Sequence, residues 1–298
     1  MFEAPVPTLR CGDRELKLDR CRIMAILNTT PDSFSDGGEF ASFEAAVARA
    51  KQLVEQGADI IDVGGESTRP GAAPVSLEEE LARVVPVVEA IAKAVDIPVS
   101  IDTSRPDVMR AAVAAGAGMI NDVRALRLDG ALDAAAELKV PVCLMHMQGE
   151  PATMQDDPQY DDVVGTVHRF LTERLFACEM AGMERKQLVV DPGFGFGKTY
   201  EHNLELLRAM PRFAELGIVM AGLSRKGMIG TMTGKPVGQR AVGSAAAALL
   251  AAQGGALLVR VHDVAETRDA LAVLHAVGIA KAKAGAKQPF GSMRFGDD

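Results

Sequence analysis

Short apolar runs recur eight times along the chain, and most of them stop on a polar residue suited to binding. They read IMAIL before Asn28, DIIDV before Gly64-Gly65-Glu66, PVSI before Asp102, GMI before Asn121, VCLM before His146, LVV before Asp191, IVMAGL before Ser224-Arg225-Lys226, and ALLV before Arg260 and His262. Nearly every run is apolar on consecutive residues, which marks strands covered on both faces, as parallel sheets are. The intervening stretches predict helices over 42–56, 77–94, 106–115, 129–138, 159–181, 201–210, 237–253 and 264–276. In the first of these, Phe43, Ala46, Val47, Ala50 and Val54 recur at mixed three- and four-residue steps and share one helix face. Ser42 and Ser76 precede helical runs and can cap them, but only Ser76 has a glutamate, Glu79, in the third following position for a capping box. Gly57, Gly116 and Gly217 stand where helices should stop.

Eight strand–helix units in one continuous chain predict a single (β/α)8 TIM barrel over 1–298, with an N-terminal lead at 1–20 and a frayed tail at 282–298. The C-terminal ends of the strands in such a barrel converge on one face, which carries the active site. The polar stops therefore form a candidate list. A doubly wound open sheet is the alternative, but it carries a glycine-rich turn after its first strand, and here NTTPDSFSDGG follows instead.

Composition narrows the class. The chain has 298 residues, 48% of them hydrophobic, and a mean hydropathy of +0.10, which fits a soluble globular domain. No apolar run reaches the roughly 18–20 residues that a membrane span requires. The start lacks a basic segment followed by an apolar one, so no signal peptide is expected. A net charge of −8 argues against a general nucleic-acid binder. Cys11, Cys21, Cys143 and Cys178 show neither CxxC spacing nor a disulfide framework and point to reduced thiols in a cytoplasm.

Two motifs mislead. Asp191-Pro-Gly-Phe-Gly-Phe-Gly-Lys198-Thr199 resembles a phosphate loop, yet only three residues separate Gly193 from Gly197, so it reads as a flexible, aromatic-lined loop. The five histidines form no HExxH and no close pair, so a histidine-based zinc site is not expected.

Asp102, Asn121 and Asp191 would place two carboxylates and an amide in one concave pocket. Carboxylates only accept hydrogen bonds, while Asn both donates and accepts, a set suited to an amino-pyrimidinone edge such as a pterin or guanine. The plainer alternative is that each caps a helix. Lys226, Arg260 and His262 bring positive charge to the last two strands, a common phosphate position in this architecture. Arg260, flanked by Val259 and Val261, should have a partner or a ligand. The long polar loops after strands one and two, with Phe34 in one and Arg69 in the other, have the character of lids. Asn28 and Asp36 supply oxygen ligands for a Mg²⁺ bridging substrate phosphates.

The stretches ILNTTPDSFSDGG, IDVGGESTRPGA, VSIDT, INDV, MHMQG, DPGFGFGKT, GLSRK and RVHDV, running from about residue 23 to 265, resemble the dihydropteroate synthase family. The resemblance implies a TIM barrel that joins 6-hydroxymethyl-7,8-dihydropterin diphosphate to 4-aminobenzoate. The products are 7,8-dihydropteroate and diphosphate, formed by an SN1-like loss of the leaving group. It implies Mg²⁺, a homodimer and a sulfonamide target. By the same resemblance, Asp102, Asn121, Asp191 and Lys226 are pterin contacts, and Asn28 is the metal ligand. Thr68, Arg260 and His262 lie near the diphosphate and substrate. Phe34, Asp36 and Arg69 belong to mobile loops that close over the site, and Phe196 and the Arg225-Lys226 segment belong to the aminobenzoate pocket. The catalytic set so implied is Asp36, Arg69, Asp102, Asp191 and Lys226. One departure stands out: Gly227 occupies a position where many members carry Ser, so a contact to the aminobenzoate carboxylate is reduced to backbone N–H.

Three rivals make different demands. A methyltransferase barrel acting on methyltetrahydrofolate shares the pterin contacts but has no need of Thr68, Arg69, Arg260 and His262. A non-catalytic paralogue has no requirement for intact lid loops. An aldolase-type barrel wants a Schiff-base lysine within a strand, whereas Lys226 lies beyond one.

Overall fold

A computed structural model of the chain describes residues 6–29, 38–66, 75–150 and 153–278. Among these residues, ten strands fall into two sheets. Strands β1 (Thr8–Cys11) and β2 (Arg14–Lys17) form an antiparallel hairpin. The other eight are β3 (Arg22–Asn28), β4 (Ile60–Gly64), β5 (Val99–Asp102), β6 (Met119–Asp122), β7 (Val142–Met145), β8 (Leu188–Asp191), β9 (Ile218–Ala221) and β10 (Leu258–Val261). They are parallel throughout and close into a barrel in the order β10-β3-β4-β5-β6-β7-β8-β9, the TIM barrel expected from the eight runs.

Helices cover the barrel: α1 (Gly38–Gln56), α2 (Leu77–Ala94), α3 (Pro106–Ala114), α4 (Ala131–Leu138), α5 (Val163–Met180), α6 (Tyr200–Arg208), α7 (Met210–Ala214), α8 (Gly227–Thr233), α9 (Ala241–Gln253) and α10 (Val264–Ala276). Each strand divides its side chains by alternation. Ile23, Ile61, Val99, Ile120, Val142 and Val190 point outward into the core shared with the helices, while Met24, Ile60, Met119, Cys143, Val189 and Met220 fill the barrel's interior. Both faces are dry, which is why the strands read as unbroken apolar runs.

Three local expectations change. The lead at 1–20 contains the β1–β2 hairpin, whose Leu9, Cys11 and Leu16, followed by Leu18, join the interior cluster and close the barrel's floor. A Cβ on Gly118 would stand 2.4 Å from the Cys11 carbonyl oxygen, so this residue must be small for the hairpin to dock. Arg14 donates to the carbonyls of Ala92, Val95 and Ile97 and ties the hairpin to the C-terminal end of α2. Ser42 lies inside α1, which begins four residues earlier, and is no cap. Ser76 does cap α2 by accepting from the Glu79 N–H at 3.1 Å, but the Glu79 carboxylate is committed to Arg83, so the reciprocal half of the box is not made. A complete capping box forms instead at α6, between Thr199 and His202. Gly57, Gly116 and Gly217 adopt positive φ just beyond helix ends, as expected. The predicted tail at 282–298 lies outside the described residues, and no helix among those described is long and apolar enough to cross a membrane.

Candidate active site

Strand register brings the polar stops together. Asn28 pairs with Gly64, Gly64 with Asp102, and Asp102 with Asn121, so four consecutive strands end on one row at the barrel mouth. Asp191 ends β8 opposite Met145 of β7. None of the three anionic or amide residues caps a helix: the N-cap residues of α3, α4 and α6 are Arg105, Gly130 and Thr199. Asn121 and Asp191 are buried, and the Asp102 side chain is nearly so. The neighbouring carboxylate, Asp122, does serve a local role. It accepts from the N–H groups of Arg124 and Leu126 and holds the loop after β6, where Ala125 and Leu126 both adopt positive φ.

The centre of the mouth is a network of charges. Arg260 donates through Nε to Asp62 and through Nη2 to Asp102, each at 2.6 Å, and Asn121 donates to the same Asp62 oxygen at 3.1 Å. Asp62 is completely buried, and its Oδ1 has no hydrogen-bond partner among the described residues. Burial pushes the Asp102 carboxyl up to about 7 against the opposing pull of Arg260. Burial likewise raises Asp191, with Lys226 opposing, and lowers Lys226 to about 8, with Asp191 opposing. For Arg260 burial works against the charge, but Asp62 and Asp102 outweigh it and hold the guanidinium cationic.

Lys226 and Asp191 meet across Gly222. A Cβ at that glycine would lie 3.6 Å from Asp191 Oδ2 and 3.8 Å from Lys226 Nζ. The ammonium also donates to the Phe194 carbonyl and sits 4.5 Å from the centroid of the Phe196 ring. Phe196 packs on Val123, Met145, Met147 and Met154, an apolar wall beside the charges. His262 and Ser224 face each other from the ends of β10 and β9, with Nδ1 and Oγ 3.0 Å apart.

The loop after β8, expected to be flexible, is cross-tied instead. Asp191 accepts from the Gly193 N–H, Asn203 accepts from the Gly195 N–H, both at 2.7 Å, and the Tyr160 hydroxyl donates to the Gly197 carbonyl at 2.8 Å. Gly193, Gly195 and Gly197 all have positive φ, and a Cβ at Gly193 would collide with the His146 carbonyl at 1.9 Å. Lys198 is buried beneath the loop.

The site residues anticipated from sequence fall into three groups. Asp102, Asn121, Asp191, Lys226, Arg260 and Phe196 converge, and Asn28 and His262 stand at the rim of the same mouth. Arg225 has its guanidinium committed to Asp263 at the start of α10, so the segment offers the pocket Lys226 more directly than its neighbour. Phe34, Asp36, Thr68 and Arg69 lie outside the described residues. Arg260, expected to face an anion, spends two of its nitrogens on inward carboxylates, because a guanidinium buried beside Asp62 and Asp102 is attracted there first. Asp62 was missed altogether, although a carboxylate inside the apolar run DIIDV announces it. His146 has a structural setting: it is buried, meets the Phe170 ring edge-on with centroids 4.9 Å apart, and is kept neutral by burial and by Lys198.

Comparison with known proteins adds three findings. The family described as pterin binding enzyme matches residues 24–262. The chain is 52% identical over 267 residues to the dihydropteroate synthase of Escherichia coli (strain K12), covering 89% of this chain and 95% of that one. Xanthomonas albilineans dihydropteroate synthase, solved with 4-aminobenzoic acid, matches at a TM-score of 0.87 and 60% identity over 92% of this chain and 99% of its own. A structure of it in complex with 7,8-dihydropteroate matches at 0.84 and 58%, covering 91% and 99%. The Yersinia pestis enzyme with a sulfonamide drug complex matches at 0.86 and 47%, again over 91% and 99%.

Proposed function

Since the chain belongs to the dihydropteroate synthase family of pterin-binding enzymes and is a transferase, we propose that its barrel mouth joins 6-hydroxymethyl-7,8-dihydropterin diphosphate to 4-aminobenzoate. The observation that carries the reading is the burial of Asp102, Asn121 and Asp191 at strand ends with no helix to cap. Each has one protein partner among the described residues, in Arg260, Asp62 and the Gly193 N–H respectively, and keeps further hydrogen-bonding capacity for a ligand. The Asp62 Oδ1 adds an acceptor with no donor among the described residues. A flat heterocycle with amino and ring N–H groups on one edge satisfies such a set.

The reaction proceeds by ionisation in this reading. As the bond between the pterin methylene and the diphosphate oxygen breaks, its electron pair leaves with diphosphate and positive charge develops on the pterin. Asp102 and Asp191, fixed in a site of low polarity, stabilise that charge without reorganising. Arg260 keeps its cation in this network through Nε to Asp62 and Nη2 to Asp102. The amino nitrogen of 4-aminobenzoate then forms the new bond to the methylene and loses a proton. No protein nucleophile is needed. The Phe196 ring and the Lys226 ammonium form the wall for the second substrate, where sulfonamides would compete.

The residues fit a Mg²⁺ held largely by substrate. No group of three or more His, Cys, Asp or Glu side chains able to hold an ion gathers among the described residues, while Asn28 ends β3 at the rim with a single amide oxygen. Mg²⁺ characteristically keeps waters and binds through one or two protein ligands plus phosphates. Asn28, with Asp36, would hold it, and when bound it would neutralise charge on the departing diphosphate.

The reading includes a homodimer and a cytoplasmic location. Val242 and Leu250 on α9, with Val273 on α10 and Val277 just beyond it, are apolar side chains left exposed that a second copy would cover. All four cysteines are free and buried, in keeping with a reducing compartment. The deciding experiment measures diphosphate release from the pterin diphosphate with and without 4-aminobenzoate. Strict dependence on both substrates, with dihydropteroate as product, is expected. Sustained release without 4-aminobenzoate would refute the synthase reading, and methyl transfer from methyltetrahydrofolate would replace it with the rival barrel.

A further inference from the structure

Among the described residues, Lys198 is the one buried lysine or arginine at this end of the barrel that the proposed reaction does not use. It is 3% exposed. Its Nζ lies 2.9 Å from the Gly193 carbonyl, 2.9 Å from the Phe196 carbonyl and 3.0 Å from His146 Nδ1, with the His146 carbonyl more distant at 3.4 Å. Three polar atoms surround the nitrogen closely. The two carbonyls accept from it, and His146 Nδ1 accepts from a protonated amine or donates to the lone pair of a neutral one. Burial draws Lys198 well below the ordinary lysine value.

The contacts tie together parts that sequence keeps apart. His146 follows β7, and Gly193 and Phe196 lie in the loop after β8. The Gly193 carbonyl also accepts from the Phe196 N–H at 3.1 Å, so the Lys198 nitrogen grips both ends of that turn. Phe196 is the residue whose ring stands over Lys226, and a Cβ on Gly195 would be 3.2 Å from the Lys226 side chain. The turn thus rests on Lys226 above and on Lys198 below.

We propose that Lys198 is a positioning residue for the second substrate: by gathering two loop carbonyls and His146 around one amine nitrogen, it fixes the Phe196 ring over Lys226 and sets the wall of the 4-aminobenzoate pocket. The inference rests on the functional reading above. At the pterin edge Asp102 and Asn121 belong to other strands, and Asp191, although it accepts from the Gly193 N–H, is held by β8 itself.

The test is Lys198→Met, which keeps the length of the side chain and removes its donors. The Michaelis constant for 4-aminobenzoate should rise at least 10-fold. Affinity for 6-hydroxymethylpterin, measured by calorimetric titration, should change less than 2-fold. A role confined to stability would lower the melting temperature without splitting the two substrates. Should Lys198→Met fail to fold, His146→Leu and His146→Asn decide. The Asn Oδ1 can take the place of Nδ1, so His146→Leu should raise the 4-aminobenzoate constant 3- to 10-fold and His146→Asn should restore it. Equal losses for both ligands, or no loss in either variant of the pair, would overturn the inference. An inactive wild-type protein would instead sink the functional reading and the inference with it, so the two failures are distinguishable.

Discussion

Replacing Arg260 by Met tests the central network most sharply, because one cation serves two buried acids. Asp62 is fully buried and accepts from Arg260 Nε at 2.6 Å; Asp102 accepts from Nη2 at the same distance. Removing one partner of a buried ion pair costs about 3–5 kcal/mol, because a charge is left uncompensated. Two acids do not double this figure, since Asp102 can escape by taking up a proton. Its carboxyl is already raised to about 7 by burial, with Arg260 pulling the other way. A raised folded-state value means that folding takes up a proton, so stability falls as pH climbs from about 4, the unfolded value, to about 7, and then levels off. In Arg260→Met the opposing pull is gone and the folded value moves higher. The variant should therefore continue to lose stability above pH 7, by about 1.4 kcal/mol per pH unit, where the wild type is flat. Below pH 7 a gap of about 3 kcal/mol remains from Asp62. At pH 8 the sum is about 4 kcal/mol, or a melting temperature lower by about 10 °C. Lys226 is lowered to about 8 by burial and in part by Arg260, so the variant gains less stability from it above about pH 8, which adds to the gap there. Equilibrium urea unfolding at pH 6, 7, 8 and 9 reads the gap directly. Adding Asp102→Asn to the variant should abolish the growth of the gap between pH 7 and 8. A gap that is constant or shrinks between pH 7 and 9 would refute the argument that Arg260 holds Asp102 ionised.

Other consequences are tested by kinetics. Asp191→Ala should lose more than 10²-fold in kcat/KM, on the order of 3 kcal/mol, and near-wild-type turnover would remove Asp191 as the pterin anchor. Excess EDTA should suppress turnover and added Mg²⁺ should restore it; full activity under chelation would take the metal out of the mechanism. Gly227 begins α8 with nothing within 4 Å of a Cβ placed on it, so Gly227→Ser should fold normally. It should lower the Michaelis constant for 4-aminobenzoate about 5-fold, the worth of one added hydrogen bond, and leave pterin affinity alone. The opposite pattern would mean that the pocket lies elsewhere. If the charge of Lys226 is required, kcat/KM should fall as pH rises through about 8, and Lys226→Arg should shift that limb upward; a limb that stays in place belongs to another group.

The barrel was legible because burial on both faces leaves a compositional trace that needs no partner information: each strand is an apolar run. The row of Asn28, Gly64, Asp102 and Asn121 follows from the same trace, since runs that end together in a parallel sheet place their stops together. The hairpin was not anticipated in the lead at 1–20. Leu9, Cys11, Leu16 and Leu18 alternate around Gly12-Asp13, and Gly12 takes the positive φ of a tight turn, but four-residue strands within a polar lead are a weak pattern. Helix α8 left little trace, because GMIGTMT carries two glycines and no clear face. Arg260 illustrates the limit. Its flanking valines foretold a partner, but nothing local could nominate Asp62, 198 residues away. Lys198 is harder still, since its acceptors are two backbone carbonyls and one histidine nitrogen, and a carbonyl has no letter of its own in the sequence.

The arithmetic of charge at the mouth bears on how substrate enters. Asp62, Asp102 and Asp191 face Arg260 and Lys226, three potential anions against two cations. With these five ionised, and with Lys198 drawn well below its ordinary value by burial, the inner mouth is left one negative charge over, in a place where burial makes an uncompensated charge costly. A bound heterocycle relieves that excess by donating N–H groups to the carboxylates, and more so once positive charge develops on it. A diphosphate would aggravate the excess. The inner mouth therefore selects the pterin end of the substrate by repelling the other end, and the anion is left at the rim beside Asn28 and His262. In the proposed ionising route that polarity strengthens, because the cation would form beside the carboxylates and the electron pair would pass to the group already held away from them. The carboxylates thus contribute more in the transition state than in the ground state, which is the condition for binding energy to become rate.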